Sequence, residues 1–344
     1  MSNALSDLLA TRGWLLADGA TGTNLFNMGL ASGDAPELWN AEQPDNIRAL
    51  YRNAVQAGSD LFLTNTFGGT ASRLKLHNAQ NRVHELNRLG AELGREIADA
   101  AGRKVVVAGS VGPTGEIMAP MGPLTHELAV EMFHEQAEGL KAGGADVLWV
   151  ETISAPEEFK AASEAFALAG MPWGGTMSFD TAGRTMMGLT SAGMAQMVAK
   201  LKYQPLAFGA NCGVGASDLL RTVLGFAGAG SDLPLIAKGN AGIPKYVAGH
   251  IHYDGTPELM AEYAILARDC GARIIGGCCG TMPDHLRAMR AALETRAPGP
   301  RPTLEQITNT LGGFSSAVDG TETDGAGPAP RPSRAGGRKR RSEG

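Results

Sequence analysis

The sequence predicts an α/β chain folded as a (βα)8 TIM barrel, followed by a disordered Gly/Pro-rich C-terminal tail. Three observations carry that expectation. Eight short apolar runs recur along the chain, near-continuous rather than alternating, as in strands buried on both faces of a parallel sheet. Each run ends in a Gly-rich or polar turn and is followed by a segment with helical signals, the order expected of repeated βα units. No G-x-G-x-x-G opens a helix after the first run, which places an open, doubly wound sheet second to the closed barrel.

The elements follow in order. WLLADGATGT, from Trp14, ends in Asp18-Gly19-Ala20-Thr21-Gly22-Thr23. In PDNIRALYRNAVQAGSD, residues Ile47, Leu50, Tyr51, Ala54 and Val55 share one helical face, and Gly58 is the expected stop. LFLTNTF, from Leu61, ends in Thr64-Asn65-Thr66, and KVVVAGSVGP, from Lys104, leads to a helix between Thr125 and Gly143-Gly144. VLWVETI, from Val147, carries Glu151-Thr152 at its end, and WGGTMSF, from Trp173, is the fifth run. LAFGANCG, from Leu206, carries Cys212, and LPLIAKGN, from Leu233, ends at Asn240. GHIHYDGTPE reads as a polar loop before the eighth run, RIIGGCCGT from Arg273, and TMPDHLRAMRAALETR closes the last unit.

Residues 1–297 are therefore expected to form the barrel, and residues 298–344 a short helix followed by a disordered, basic-ended tail. Thr303 and Gln306 are spaced as a capping box for that helix. From Asp319 the chain has almost no large apolar residues, too few to offset its conformational entropy, and the terminal RKRR reads as a solvated charge run.

Composition narrows the function. A net charge of −5 gives no case for nucleic-acid binding. No run approaches 18 apolar residues and the N-terminus lacks a signal-peptide pattern, so the expectation is a cytoplasmic protein with no membrane partner. Four cysteines in 344 residues do not make a disulfide scaffold; clustered cysteines in a reducing compartment are more often metal ligands or catalytic groups.

Chemistry in a (βα)8 barrel sits at the C-terminal ends of the strands. The sixth and eighth strands are near neighbours around a closed ring, so Cys212, Cys278 and Cys279 are expected to converge. Three thiolates and an open fourth position describe a catalytic Zn2+ site. Adjacent strand residues point to opposite faces, so both Cys278 and Cys279 reach one metal only if the backbone bends, and Gly276, Gly277 and Gly280 are expected to supply that bend. A reversible vicinal disulfide is the alternative, and it leaves Cys212 without a role. Cys270 reads as a buried small hydrophobe. Asp18 and Glu151 are inward carboxylates at the catalytic rim, the Gly19–Gly22 backbone is a candidate anion nest, and Thr66 joins the candidate substrate contacts. Asn240 is a candidate displaceable metal ligand by position. His250 and His252 have metal-like spacing but lie in the polar loop; the other five histidines read as surface or packing residues.

DGATGT, TNTF, VGPTGE, ETIS, GANCG and GGCCGT occur in the order found in zinc-dependent homocysteine S-methyltransferases, and the chain resembles that family from Leu8 to Ala297. The resemblance implies a barrel that forms methionine by attack of a zinc-activated homocysteine thiolate on a donor methyl group. It maps Cys212, Cys278 and Cys279 onto the zinc ligands, Asp18 and Glu151 onto the amino end of homocysteine, and the GATG backbone onto its carboxylate.

The donor separates the subgroups. Betaine-using members of the animal type carry aromatics where this chain has Gly68 and a residue near Asp34, and a Tyr where it has Thr152; Trp39, Phe67 or Phe179 are left to form another cage for a quaternary ammonium. AGSDLFLTNTFGGTASRLKLHN and GGCCGTMPDHL look instead like the homocysteine module of cobalamin-dependent methionine synthase. Small side chains at Gly68, Gly69 and Thr152 are consistent with an open mouth for a corrinoid protein, so a methyl-corrinoid protein is the expected donor, with betaine the alternative. S-methylmethionine, S-adenosylmethionine and dimethylsulfoniopropionate complete the range. A reading from another class is a non-catalytic zinc-binding or redox-sensing dithiol protein. Nothing in the sequence signals an oligomeric state.

Overall fold

The computed structural model describes residues 3–242, 245–247 and 250–318. Eight parallel strands form one sheet: β1 (Leu15–Leu16), β2 (Leu61–Leu63), β3 (Val106–Val111), β4 (Val147–Ile153), β5 (Trp173–Met177), β6 (Phe208–Cys212), β7 (Leu235–Gly239) and, after the short strands β8 (Lys245–Val247) and β9 (His250–His252), β10 (Ala272–Gly277). Their order, β1-β10-β7-β6-β5-β4-β3-β2, runs round a ring. The ring closes where the Asp60 amide donates to the Leu16 carbonyl at 2.6 Å. All eight expected runs are strands of this barrel.

The near-continuous apolarity has the anticipated cause. Alternate residues face opposite sides of a strand, and both sides are covered. Leu15, Leu61, Leu63, Val106, Ala108, Val147, Trp149, Ala207, Ile236 and Ile274 fill the barrel interior. Leu16, Phe62, Val107, Leu148, Val150, Phe208, Leu235 and Ile275 pack outward in the cluster that includes the helices. The interior is closed at its base by the helix Ala4–Thr11, which the sequence reading did not anticipate; Asn3 caps it and Leu5 and Leu9 join the inner cluster.

At the other end the interior changes character. Two residues beyond the last inward apolar position, or the small residue in its place, the inward positions become Ser110 on β3, Glu151 on β4, Thr176 on β5, Asn211 on β6 and Lys238 on β7, with Gly276 on β10. This polar layer is the floor of the catalytic mouth.

The helices follow the expected faces. Pro44–Gln56 buries Ile47, Leu50, Tyr51 and Ala54, and Gly58 stops it with φ of 104°, a conformation glycine adopts without steric cost. His126–Ala142 begins at Thr125, whose side chain accepts from the Leu128 amide. The segment read as a polar loop instead contains an antiparallel pair, β8 with β9; its mixed polar sequence carries no clean alternation to reveal it. The side chains of His250 and His252 lie outside the described residues.

The short C-terminal helix is Leu304–Leu311, with the Thr303–Gln306 capping box. The residues after it pack on the helix Ala216–Gly228. Ser217 donates to the Gly312 carbonyl, Arg221 to the Ser316 carbonyl, and the Ser315 amide to Asp218. The expected disordered tail, residues 319–344, lies outside the described residues. Among the described residues no helix is long and apolar enough to cross a membrane.

Candidate metal and substrate site

Two strand ends flanking β7 bring the cysteines together. Cys212 ends β6 opposite Gly239, and Gly277 ends β10 opposite the same residue. The three sulfurs of Cys212, Cys278 and Cys279 all lie within 4.8 Å of one another, with Cys212 and Cys279 at 3.9 Å. Zinc–sulfur bonds of about 2.3 Å in tetrahedral geometry set sulfurs about 3.8 Å apart, so this triangle fits a metal ion with one coordination position left over. Cys270 is fully buried in the outer core, as expected.

The bend is made differently from the expectation. Gly280, with φ of 77°, is left-handed, but Gly276 and Gly277 are not. Those two glycines serve close approach: a Cβ on Gly277 would lie 2.2 Å from the Thr281 side chain, and one on Gly276 2.8 Å from Ala17 Cβ. The unexpected strain is at Cys212, a non-glycine residue with φ of 60°. Such a residue costs roughly 1–3 kcal/mol and persists where the surroundings over-determine it.

Those surroundings are explicit. Asn240 donates from Nδ2 to the Gly213 carbonyl at 2.9 Å and accepts at Oδ1 from the Cys279 amide at 3.1 Å. It thereby ties the residue after Cys212 to Cys279. Its oxygen, the atom that a displaceable ligand would offer, accepts that bond. The Cys278 amide donates to the Gly239 carbonyl at 2.7 Å, and Asn211 Nδ2 lies 3.7 Å from the Cys278 sulfur. Asn211 also exchanges two hydrogen bonds with Thr152, itself left-handed with φ of 59°.

Crowding sets the protonation. Hydrogen bonds from Cys212 and Cys278 pull the Cys279 thiol well below its ordinary value, and contacts with Cys278 and Cys279, with burial, push Cys212 far up. Three adjacent thiolates repel one another; a divalent cation is what would let all three ionise.

DGATGT docks directly onto GGCCGT. The Gly277 amide donates to the Asp18 carbonyl at 2.9 Å, the Ala20 amide to the Thr281 carbonyl at 3.1 Å, and the Gly280 amide to Thr23 Oγ1 at 3.2 Å. Gly19 has no room for a side chain, since a Cβ would lie 2.6 Å from the Thr281 carbonyl oxygen. Of the expected anion nest, the Ala20 amide is therefore paired, while Thr21 and Gly22 open the helix Thr21–Asn27.

The two carboxylates differ. Asp18 is buried; Oδ1 accepts from Lys238 Nζ at 2.6 Å and Oδ2 from the Leu63 amide at 2.8 Å. Glu151 is half-buried and accepts at Oε1 from Ser110 Oγ at 2.5 Å. Burial pushes the Glu151 carboxyl up to about 7, against the pull of the Lys238 ammonium. Burial works against charge on Lys238 as well, but Asp18 and Glu151 outweigh it and hold the ammonium above its ordinary value. Thr66 is fully buried, its hydroxyl bonded to Thr64 and to the Ser110 carbonyl. The sequence reading missed Lys238, Ser110 and Asn211; the signal for them was a polar residue at the last inward position of an otherwise apolar strand.

The residues singled out for a donor are mostly committed to packing. Phe179 is buried edge-on against Phe226 at 5.6 Å, and Trp39 packs on the outer core. The smallness of Gly68 and Gly69 has a local cause: Gly68 receives the buried Glu37 carboxylate on its amide at 2.6 Å, and Gly69 lies against Asn87 and Gln136. Exposed apolar side chains are found instead in segments that follow three of the strands: Phe26 after β1, Ile117 and Met121 after β3, and Met186 and Met187 after β5.

Comparisons with known proteins agree with this geometry. A family model described as homocysteine S-methyltransferase matches residues 15–293. The methionine synthase of Mycobacterium tuberculosis (strain ATCC 25618 / H37Rv) is 31% identical over 305 residues, covering 84% of this chain and 25% of that protein. That of Mycobacterium leprae (strain TN) is 30% identical over 319 residues, covering 88% and 26%. The chain thus spans about a quarter of the length of these relatives. Among solved structures, the metallated homocysteine methyltransferase MmuM from Escherichia coli superposes with a TM-score of 0.70 at 26% identity, covering 84% of this chain and 99% of that one. Its oxidised form gives the same values.

Proposed function

The chain belongs to the homocysteine S-methyltransferase family, and on that premise we propose that it methylates homocysteine to methionine at a zinc ion held by Cys212, Cys278 and Cys279. The observation that carries this reading is the sulfur triangle, whose 3.9 Å edge matches one edge of a zinc tetrahedron. The metallated form of MmuM adds support. Bound there, zinc would keep the cysteines ionised and lower the pKa of a fourth, substrate thiol.

The chain's own residues do the rest. Asn240 and the paired DGATGT and GGCCGT turns hold the sulfurs at fixed spacing, so little reorganisation is needed when substrate arrives. A carboxylate at the mouth receives the homocysteine ammonium, and the amides that open the helix Thr21–Asn27 are suited to its carboxylate. The substrate sulfur then attacks the donor methyl in line; the S–CH3 bond forms as the donor–CH3 bond breaks, and the leaving group keeps the electron pair.

Two donors are favoured by different observations. A methyl-corrinoid carried on another domain or polypeptide fits the exposed apolar side chains Phe26, Ile117, Met121, Met186 and Met187, which follow strand ends, since a macromolecular partner buries such surface. A small donor that presents a quaternary ammonium, such as betaine, fits the inner mouth, where two carboxylates and three cysteines face one ammonium. It also agrees with the match to nearly the whole MmuM chain, a homocysteine methyltransferase by itself.

The test is a donor panel with the zinc-loaded protein and homocysteine: betaine, dimethylsulfoniopropionate, S-methylmethionine, S-adenosylmethionine, and methylcobalamin free or protein-bound. Methionine from one donor is expected; none from any donor overturns the function. Homocysteine alone should release about one proton per site in weak buffer.

A further inference from the structure

We infer that Asn211 is a positioning residue for the metal centre: its side-chain amide gives an N–H to the Cys278 sulfur, and Thr152 aims that amide. The inference rests on the zinc reading above and goes beyond the three cysteines, to the group that sets the charge on one of them.

The amide can face only one way. Asn211 is fully buried near the end of β6. The Thr152 backbone amide, which donates and cannot accept, lies 2.9 Å from one side-chain atom of Asn211, so that atom is the carbonyl oxygen Oδ1. The Thr176 hydroxyl donates to the same oxygen at 2.7 Å. Nδ2 then has two N–H groups to place. One goes to Thr152 Oγ1 at 2.7 Å. The other has the Cys278 sulfur at 3.7 Å, a reach that suits the larger sulfur atom.

The backbone is bent to make this possible. The register of β4 against β5 shifts between Val150 and Ile153, and Thr152 sits inside the shift with φ of 59°. A β-branched residue rarely adopts that conformation, and it persists only where the surroundings over-determine it. Irregularities of this kind re-aim groups beside active sites. Here the amide and the hydroxyl of Thr152 both reach across β5 to Asn211, and Thr176 of β5 joins them. Three strands thus fix one amide against the sulfur that follows β10.

The chemistry follows from charge. Zinc with three cysteine thiolates and a substrate thiolate carries net negative charge. A charge-assisted N–H on Cys278 draws electron density from that sulfur, which leaves the metal a stronger acid toward the substrate sulfur. Asn240, by contrast, bonds the Gly213 carbonyl and the Cys279 amide, so it acts on spacing rather than on a sulfur.

The test replaces zinc by cobalt(II) in the full chain, because sulfur-to-cobalt charge-transfer absorption reports the electron density on the ligand sulfurs. Asn211→Leu, similar in size but without the N–H, should move this band to lower energy. It should also weaken zinc by about tenfold or more in competition with a chelator. Thr176→Val removes one bond to the same amide and leaves the N–H on the sulfur, so its band should stay at the wild-type energy. An unmoved band in Asn211→Leu overturns the assignment, and so does an equal shift in Thr176→Val. If Asn211→Leu fails to fold, NMR of isotopically labelled wild type loaded with cadmium decides. A side-chain amide proton coupled to the cadmium supports the N–H–S bond, and the lack of any such coupling overturns it. A wild type that binds neither cobalt nor zinc overturns the metal reading itself, a different result from any variant pattern.

Discussion

The sulfur of Cys212 lies 3.9 Å from that of Cys279, although 67 residues separate them along the chain. Nothing local holds them together; β7, between their two strands, does. Each of Cys212→Ala, Cys278→Ala and Cys279→Ala should therefore take zinc from about one per chain to near zero and abolish methyl transfer. Metal analysis of the purified variants checks this. Stoichiometric zinc in any one of them removes that residue from the ligand set.

Asn240 should act on metal affinity without being a ligand. Asn240→Ala frees the Gly213 carbonyl and the Cys279 amide from each other, and loss of such outer contacts costs about 10–100-fold in affinity. Competition with a zinc chelator measures the change. An affinity equal to wild type would mean that the backbone holds the cysteines unaided.

Glu151 makes stability depend on pH with a definite sign. Its carboxyl titrates near 7 in the folded chain and near 4.3 when unfolded. Between those values the folded state holds the extra proton, so this group lowers stability as pH rises through the window. Without homocysteine, Glu151→Gln should gain on wild type from pH 4.5 to 7 and level off above it, by about 1–3 kcal/mol for a half-buried group. Urea unfolding of both proteins at pH 5 and pH 8 reads the difference. An equal gap at the two pH values would contradict the shift.

Gly277 tests the close packing of the two turns. Gly277→Ala places a methyl group 2.2 Å from Thr281, and overpacking of this kind costs about 1–3 kcal/mol. Because Cys278 follows directly, zinc content should fall along with the thermal midpoint. Unchanged values for both would show that Thr281 can rotate away freely.

Much of this was legible in the chain. Apolar runs and helical faces are local patterns, and a strand buried on both sides must be apolar wherever it sits, so all eight barrel strands could be read directly. The cysteines could be read too, because chemistry in this architecture collects at strand ends. The pair β8–β9 was not legible, since its residues alternate neither cleanly nor strongly. At Gly276 and Gly277 the sequence is ambiguous, since a glycine in sequence does not say whether it is needed for its dihedral freedom or for space.

By itself the sequence determined the barrel, the three sulfurs and the two carboxylates as candidates. Only the tertiary structure decided which atoms are engaged. Asn240 bridges the Gly213 carbonyl and the Cys279 amide, Cys212 sits in a left-handed conformation, and Asp18 is paired with Lys238. Each depends on partners brought together by ring closure, over 27 to 220 residues of chain. Local patterning specifies which face of a strand a residue occupies; which neighbour it meets there is set by strand order and register around the closed sheet.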